Sequence, residues 1–325
     1  MSQPETTAPQ PDAAAGAGAG APQPDTGAGA RAGARATARG TDTVAPRPEV
    51  AAGRRNRPFA LLGSELALVF RRRRTWAMLG ALALVPVLIA IAVRLTTDGD
   101  DGGPAFLGDI TNNGLFVAFT ALTVSIPLFL PLTVGVVSGD TVAGEASHGT
   151  IRYLLVAPTG RLRFILVKYV GAVAFCLTAT LLVVLVGALI GALLFPIGPV
   201  TLLSGTQVDG WSSAGRAVLL ALYVTLSMLG LSAIGLFAST LTTVPVGAMA
   251  ATVVLAGVSQ VLDQLPQLDW LHPFLFSHLW LGFGDLLRDP ISFDSFGANA
   301  LLQLGYVAVF GALAYGRFAT KDVLS

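Results

Sequence analysis

The sequence predicts an all-α membrane protein with six transmembrane helices and both termini cytoplasmic. Three observations carry this. The 325-residue chain is 53% hydrophobic and only 12% charged, about half the roughly 25% charged share of soluble domains. Its apolar residues gather into stretches long enough to cross the ~30 Å hydrocarbon core of a bilayer. Its cations collect on one side of those stretches.

Residues 1–53 are almost entirely Ala, Gly, Pro, Thr, Gln and Arg, without an aromatic residue. Such a segment buries too little apolar surface to offset its ordering entropy, which predicts a disordered cytoplasmic tail. No apolar core follows within the first thirty residues, as a secretory signal would require. Residues 54–74 form a basic, amphipathic unit. Within Pro58–Phe70, Phe59, Leu62, Leu66 and Val69 fall at helical spacing, with Ser64 and Glu65 off that face. Thirteen residues cannot span a bilayer. An interfacial helix on the inner leaflet, pinned by Arg54, Arg55, Arg57 and Arg71–Arg74, fits the pattern.

The transmembrane domain, 75–316, contains spans at 75–93, 114–138, 164–195, 217–240, 244–262 and 298–316. Pro127 and Pro131 each delete an intrahelical hydrogen bond, so the second span is expected to kink. The third exceeds the need of about 20 residues, so its first turns project into the cytoplasm. Gly187 and Gly191 in that span make a G-x-x-x-G step, which permits close helix approach. Between the fifth and sixth spans, Trp270, Phe274, Phe276, Trp280, Phe283, Phe293 and Phe296 are interrupted by Pro266, Pro273 and Pro290. Short re-entrant helices dipping into the outer leaflet are expected here. A short cytoplasmic tail, 317–325, closes the chain.

With the N-terminus inside, residues 1–74, 139–168, a tight turn near Thr243, and 317–325 hold 17 of the 20 Lys and Arg residues. Only Arg94, Arg216 and Arg288 fall outside, where ten aspartates lie instead. That is the positive-inside distribution. Among the outer aspartates, the DGDDGG run after the first span lacks the alternating ligands and closing glutamate of a calcium loop and reads as a solvated turn.

The chemistry is sparse. There is no G-x-S-x-G elbow, no H-E-x-x-H pair and no G-x-x-x-x-G-K-[ST] phosphate loop, so no catalytic residue and no nucleotide site are expected. His272 and His278 lie on the outer segment without an acidic helix partner and are read as interfacial polar residues, with no metal site expected. Cys176 is read as a buried hydrophobe. The spans are read as free of acids and bases, which disfavours an ion-coupled carrier.

The polar stretch Ser138–Lys168 stands out against this background. Gly149 and Thr150 can start a helix, with Ser147 as its cap. Ile151, Leu154 and Leu155 share one face, Arg152 points away, and Pro158 ends the helix near Ala157. Either the inner leaflet or a cleft on a soluble protein would cover that face. Arg161, Arg163 and Lys168 follow at the membrane surface, read as snorkelling anchors of the third span. Glu145 and Arg161 are expected to brace the short helix against the ends of the second and third spans.

The pattern Asp140, Glu145, Gly149-Thr150, Leu154-Leu155, Pro158, Arg161 and Lys168 resembles the first cytoplasmic loop of the ABC type-2 permeases, the membrane subunits of ATP-binding-cassette exporters. The similarity extends over residues 57–325. It implies a permease of the cytoplasmic membrane, without catalysis or bound cofactor of its own. Two copies of a separate ATPase subunit would carry ATP and Mg, and a second permease, identical or homologous, would complete a dimer. It also implies that the loop between the second and third spans couples to the ATPase. The second and fifth spans would then line the substrate path, with Thr120, Thr123, Ser125, Pro127, Thr133 and Gln260 as its polar candidates. An uncharged path suits an apolar or amphiphilic cargo such as a drug, antibiotic, lipid or peptide. The rival expectation is a non-transporting anchor or sensor of a cell-envelope complex.

Overall fold

The computed structural model describes residues 58–97, 113–114, 116–147, 160–196, 200–201, 207–208 and 210–320. The expected disordered tail at 1–53, the Asp-rich turn, the short helix at 149–157 and the last five residues lie outside these.

Ten α-helices are described. They are α1 Pro58–Arg71, α2 Arg73–Thr97, α3 Phe116–Ser125, α4 Phe129–Asp140 and α5 Ala143–Ser147. Then come α6 Arg161–Leu194, α7 Gly210–Ser227, α8 Leu229–Leu241, α9 Pro245–Asp263 and α10 Asp294–Ala319. A two-residue antiparallel pair, Val200–Thr201 with Gln207–Val208, sits between α6 and α7. Among the described residues five helices are long and apolar enough to cross a membrane, counting α7–α8 as one, and six if the bent pair α3–α4 is a span. The protein is a helical membrane protein. Leu84, Leu88, Leu185, Leu189, Leu193 and Leu301 stand on outward faces, more exposed apolar surface than a water-soluble monomer carries.

The second span bends by 56° between α3 and α4, where the two prolines predict a kink. Pro127 cannot donate to the Thr123 carbonyl, and Pro131 cannot donate to that of Pro127. Breaking the helix before Phe129 puts Pro131 in the first turn of α4, where a backbone N–H has no intrahelical partner in any case. The bend also changes the partners of the chain. Helix α3 packs with α2 on α6, whereas α4 packs on α8 and α9. Helices α7–α8 form the centre, with 67% of their most apolar window buried against 11% for α10.

Helix boundaries shift from the expected ones in instructive ways. The fourth span begins at Gly210 rather than 217, and the sixth runs Asp294–Ala319 rather than 298–316. In both cases the helix starts in polar sequence that hydropathy discounts. The expected turn near Thr243 is present: Thr242 Oγ1 accepts from the Val244 N–H at 3.0 Å, and Pro245 starts α9. Helix α6, at 34 residues, is roughly 51 Å long at 1.5 Å per residue, well beyond the hydrocarbon core. Ser147 precedes the undescribed residues 148–159, where the helix it is expected to cap would lie. It ends α5, and its hydroxyl donates back to the Gly144 carbonyl at 2.8 Å.

The G-x-x-x-G step is used. A Cβ at 187 would lie 2.6 Å from Ala118 Cα, and one at 191 would lie 1.9 Å from the Gly114 carbonyl oxygen. The Gly114 N–H donates to the Pro196 carbonyl at 3.1 Å, which closes the same contact. Gly187→Leu is therefore expected to force α3 from α6 and to cost about 1–3 kcal/mol, read as a lower melting temperature in detergent. Gly305→Leu, at an open position of α10, serves as the neutral control.

Candidate functional site

The sequence-expected coupling residues divide into two groups. Gly149, Thr150, Ile151, Arg152, Leu154, Leu155 and Pro158 lie outside the described residues. Glu145, Arg161 and Lys168, which flank them, are described, and they belong to a buried ionic cluster with members that sequence reasoning missed.

Lys168 is the centre of that cluster. It sits on the second turn of α6 and is 3% exposed, so it does not snorkel to the surface. Its Nζ lies 2.9 and 2.8 Å from the two oxygens of Glu65 and also donates to Glu145. Glu65 was expected off the apolar face of α1; instead it lies on the buried face with Val69. Helix α1 packs on α6, and Gly171, one turn beyond Lys168, makes the room. A Cβ there would approach Glu65 Cγ to 3.2 Å. The expectation that the spans hold no acids or bases therefore fails at Lys168. An ammonium that far from water requires compensation, and two carboxylates supply it.

A second ionic group adjoins the first. Asp140, the last residue of α4, accepts from Arg74 Nη2 at 2.6 Å and from Arg72. Arg72 is the single residue between α1 and α2. Three cations, Lys168, Arg72 and Arg74, thus meet three anions, Glu65, Glu145 and Asp140. A gap of about 20 Å³ lies between the two groups, room for a single water. Gly144 makes space for the aspartate, since a Cβ there would meet Asp140 Oδ1 at 2.8 Å.

Residues 140–147 are thereby held at three points. Asp140 is gripped by the arginines and Glu145 by Lys168. Between them the N–H groups of Val142 and Ala143, at the start of α5, donate to Ser239 Oγ of α8 at 2.9 and 2.8 Å. These are N-terminal donors with no intrahelical partner. Arg161 lies on the far side of the undescribed segment, at the start of α6. It donates to the Ala319 carbonyl at the end of α10, where a cation also meets the negative end of the helix dipole. Phe164 stacks on Phe318 at 5.2 Å beside it.

The expected substrate-path residues are brought together only in part. Pro127 and Gln260 line a cavity of about 150 Å³ with Ile126, Asp263, Ser277 and His278. Thr123 and Thr133 donate back to carbonyls of their own helices. Ser125 is buried, its hydroxyl without a hydrogen-bond partner among the described residues. Thr120 is half-buried on α3 and, like Thr123, Ser125 and Thr133, does not line the cavity.

Between α9 and α10 lie three short 3₁₀ helices, Pro266–Leu268, His272–Phe274 and Gly282–Leu287. Polar side chains of the long helices hold this irregular segment. Arg216 donates to the carbonyls of Leu286 and Arg288 at 3.0 and 2.6 Å. Tyr223 donates to Leu279 at 2.6 Å and Tyr306 to Phe274 at 2.7 Å. Gln303 donates to Phe276 at 2.8 Å and accepts from the Gly230 N–H at 3.1 Å. Asn299 joins Gln303 to Ser227. Sequence reasoning listed Arg216 only as an exception to the charge rule. The histidines also differ from expectation: His278 Nδ1 lies 2.6 Å from Asp263 Oδ1, so an acidic partner is present.

Lys168→Met should cost about 3–5 kcal/mol, because it strands Glu65 and Glu145 without their cation. The double variant Glu65→Leu/Lys168→Met should regain part of that loss. Thermal unfolding of the purified chain in detergent reads both; equal losses would show that Glu65 and Lys168 are not energetically paired.

Among curated proteins none matches this sequence. Residues 87–324, well over half of the chain, match the family described as Protein of unknown function (DUF2705), and the chain belongs to that family.

Proposed function

We propose that this chain is the permease subunit of an ATP-driven exporter of the ABC type-2 kind. It sits in the cytoplasmic membrane with both termini inside and works as a dimer with an identical or homologous permease. Two copies of a separate ATPase engage the segment 148–159, and the ATP and Mg belong to that partner. The 3₁₀ segment between α9 and α10 dips into the outer leaflet. The cargo is apolar or amphiphilic, in keeping with spans whose interior polarity, outside the ionic cluster, is chiefly hydroxyl and amide.

One observation carries this reading: both flanks of the segment 148–159 are tied to the long helices by buried or charge-assisted contacts. Glu145 binds Lys168 of α6 on one flank, and Arg161 binds the end of α10 on the other. A partner that pulls on the segment moves α1, α6 and α10 together, and through Asp140 it moves α4 and the bend above it. Nucleotide-dependent docking then shifts the population of span arrangements by its differential affinity for them. A free surface loop would absorb such a pull instead.

The test is co-purification with a Walker-motif ATPase encoded beside this chain. Gly149→Pro/Leu154→Asp is chosen to abolish the helix expected there and its apolar anchor. Losing a docking contact of about 2 kcal/mol weakens retention roughly thirtyfold. If that variant holds the ATPase as well as the unaltered chain does, the docking assignment is wrong. Cargo-stimulated ATP hydrolysis by the reconstituted complex in vesicles is the expected activity.

A further inference from the structure

The pair His278–Asp263 has a third member. One ligand atom from each of Asp263, His272 and His278 lies within 4.8 Å of the other two. The histidine rings are 5.9 Å apart between centroids and inclined by 32°. The three residues come from separate places in the chain. Asp263 is the last residue of α9, His272 opens a 3₁₀ helix, and His278 lies in the turn after it. An Asp263–His278 ion pair holds two of these groups together, and His272 is brought beside them by the 3₁₀ turn that it opens.

We propose that Asp263, His272 and His278 form a binding site for a first-row divalent transition ion, zinc foremost. The donor set selects the ion class. Calcium and magnesium take oxygen-only shells of six or more ligands, whereas two imidazoles and a carboxylate suit zinc and its neighbours. Tetrahedral zinc with ~2.0–2.1 Å bonds holds its donors about 3.3 Å apart. Binding therefore opens the 2.6 Å Asp263–His278 contact slightly and draws in the widest pair, adjustments within the reach of side-chain rotation. All three residues are partly exposed, which gives the ion a way in.

The second ring nitrogen of His272 is also provided for. Nε2 lies 3.2 Å from the Leu265 carbonyl, and Nδ1 lies 3.6 Å from Asp269 Oδ1. With Nδ1 on the metal, Nε2–H keeps the Leu265 carbonyl as its acceptor, the usual arrangement for a ligating imidazole. Three protein ligands leave a fourth position open. Asp263 and His278 also line the cavity shared with Pro127, Gln260 and Ser277, so an ion here sits at the rim of the bend in the second span. It would staple the end of α9 to the irregular segment before α10, whether or not the chain is a permease.

The experiment uses the full chain, purified in detergent through a tag without histidine, stripped with chelator and titrated with Co²⁺ and then Zn²⁺. The expected result is one Co²⁺ per chain with the visible absorption of a tetrahedral site, displaced by Zn²⁺. Outer ligands alone change metal affinity 10–100-fold, so His272→Ala, His278→Ala and Asp263→Asn should each weaken binding by about a hundredfold or more. His148→Ala removes the remaining histidine of the chain and should leave the titration unchanged. Size-exclusion elution of each metal-free variant checks that it is folded. Absence of stoichiometric binding by the unaltered chain at micromolar ion overturns the site, as does binding that survives in the folded His272→Ala/His278→Ala double variant.

Discussion

A backbone carbonyl or N–H outside a regular helix finds no water in hydrocarbon, and each one left unpaired costs several kcal/mol. Several polar side chains of this protein supply partners to backbone groups outside regular helices. The segment between α9 and α10 is built of 3₁₀ turns, and Arg216, Tyr223, Gln303 and Tyr306 donate to its carbonyls from helices on either side. Ser239 accepts the N–H groups of Val142 and Ala143, where α5 begins. Trp76 Nε1 donates to the Phe70 carbonyl at the end of α1, at 2.7 Å. Each donor or acceptor sits on a neighbouring element, so secondary structure here is completed by tertiary packing.

The ionic cluster obeys the same rule with larger stakes. Lys168 could reach the surface if α6 alone decided its place, since long cationic side chains near helix ends ordinarily do. Helix α1 prevents this by packing over it, and Glu65 then makes the covered position tolerable. The arrangement is mutual. Without Lys168, Glu65 would be a buried carboxylate facing Gly171, and without Glu65 the ammonium would keep only Glu145. Such a cluster adds little net stability over an apolar packing of the same volume but strongly penalises the wrong partner or register. It therefore fixes where α1 sits on α6 more sharply than Leu62 and Leu66 alone, since apolar contacts tolerate sliding.

Much of the fold was legible in the sequence because its signals are local. Span-length apolar runs, the proline pair at 127 and 131, the turn at Thr242–Pro245 and the Gly187–Gly191 step each declare themselves within a few residues. The candidate site was legible only at its flanks. Glu145, Arg161 and Lys168 stood out as polar residues at the edge of apolar runs, but their partners did not. Glu65 lies 103 residues from Lys168, and the helical pattern of Phe59, Leu62, Leu66 and Val69 argued for turning it to solvent. Arg216 and Gln303 meet carbonyls 70 and 27 residues away, and backbone acceptors carry no sequence signature. His278 meets Asp263 across 15 residues, far outside helical spacing, because the 3₁₀ turns fold that stretch back on α9.

The bent second span links the two polar ends of the molecule. Its last residue, Asp140, is held by Arg72 and Arg74 at the ionic cluster. Its break, at Ile126 and Pro127, borders the cavity that Asp263 and His278 line. Between those points α4 is packed closely on α9 and α8. A Cβ at Gly139 would come within 2.8 Å of the Met249 nitrogen, and one at Gly235 within 2.0 Å of Ser138 Oγ. Contacts so close leave α4 no freedom to bend along its length. It is packed with α8 and α9 as one body, and the helix is interrupted at the break, where two carbonyls have lost their helical donors to proline. Under the proposed function, a pull on Asp140 would be converted at Pro127 into a change of angle, beside the cavity that the break borders.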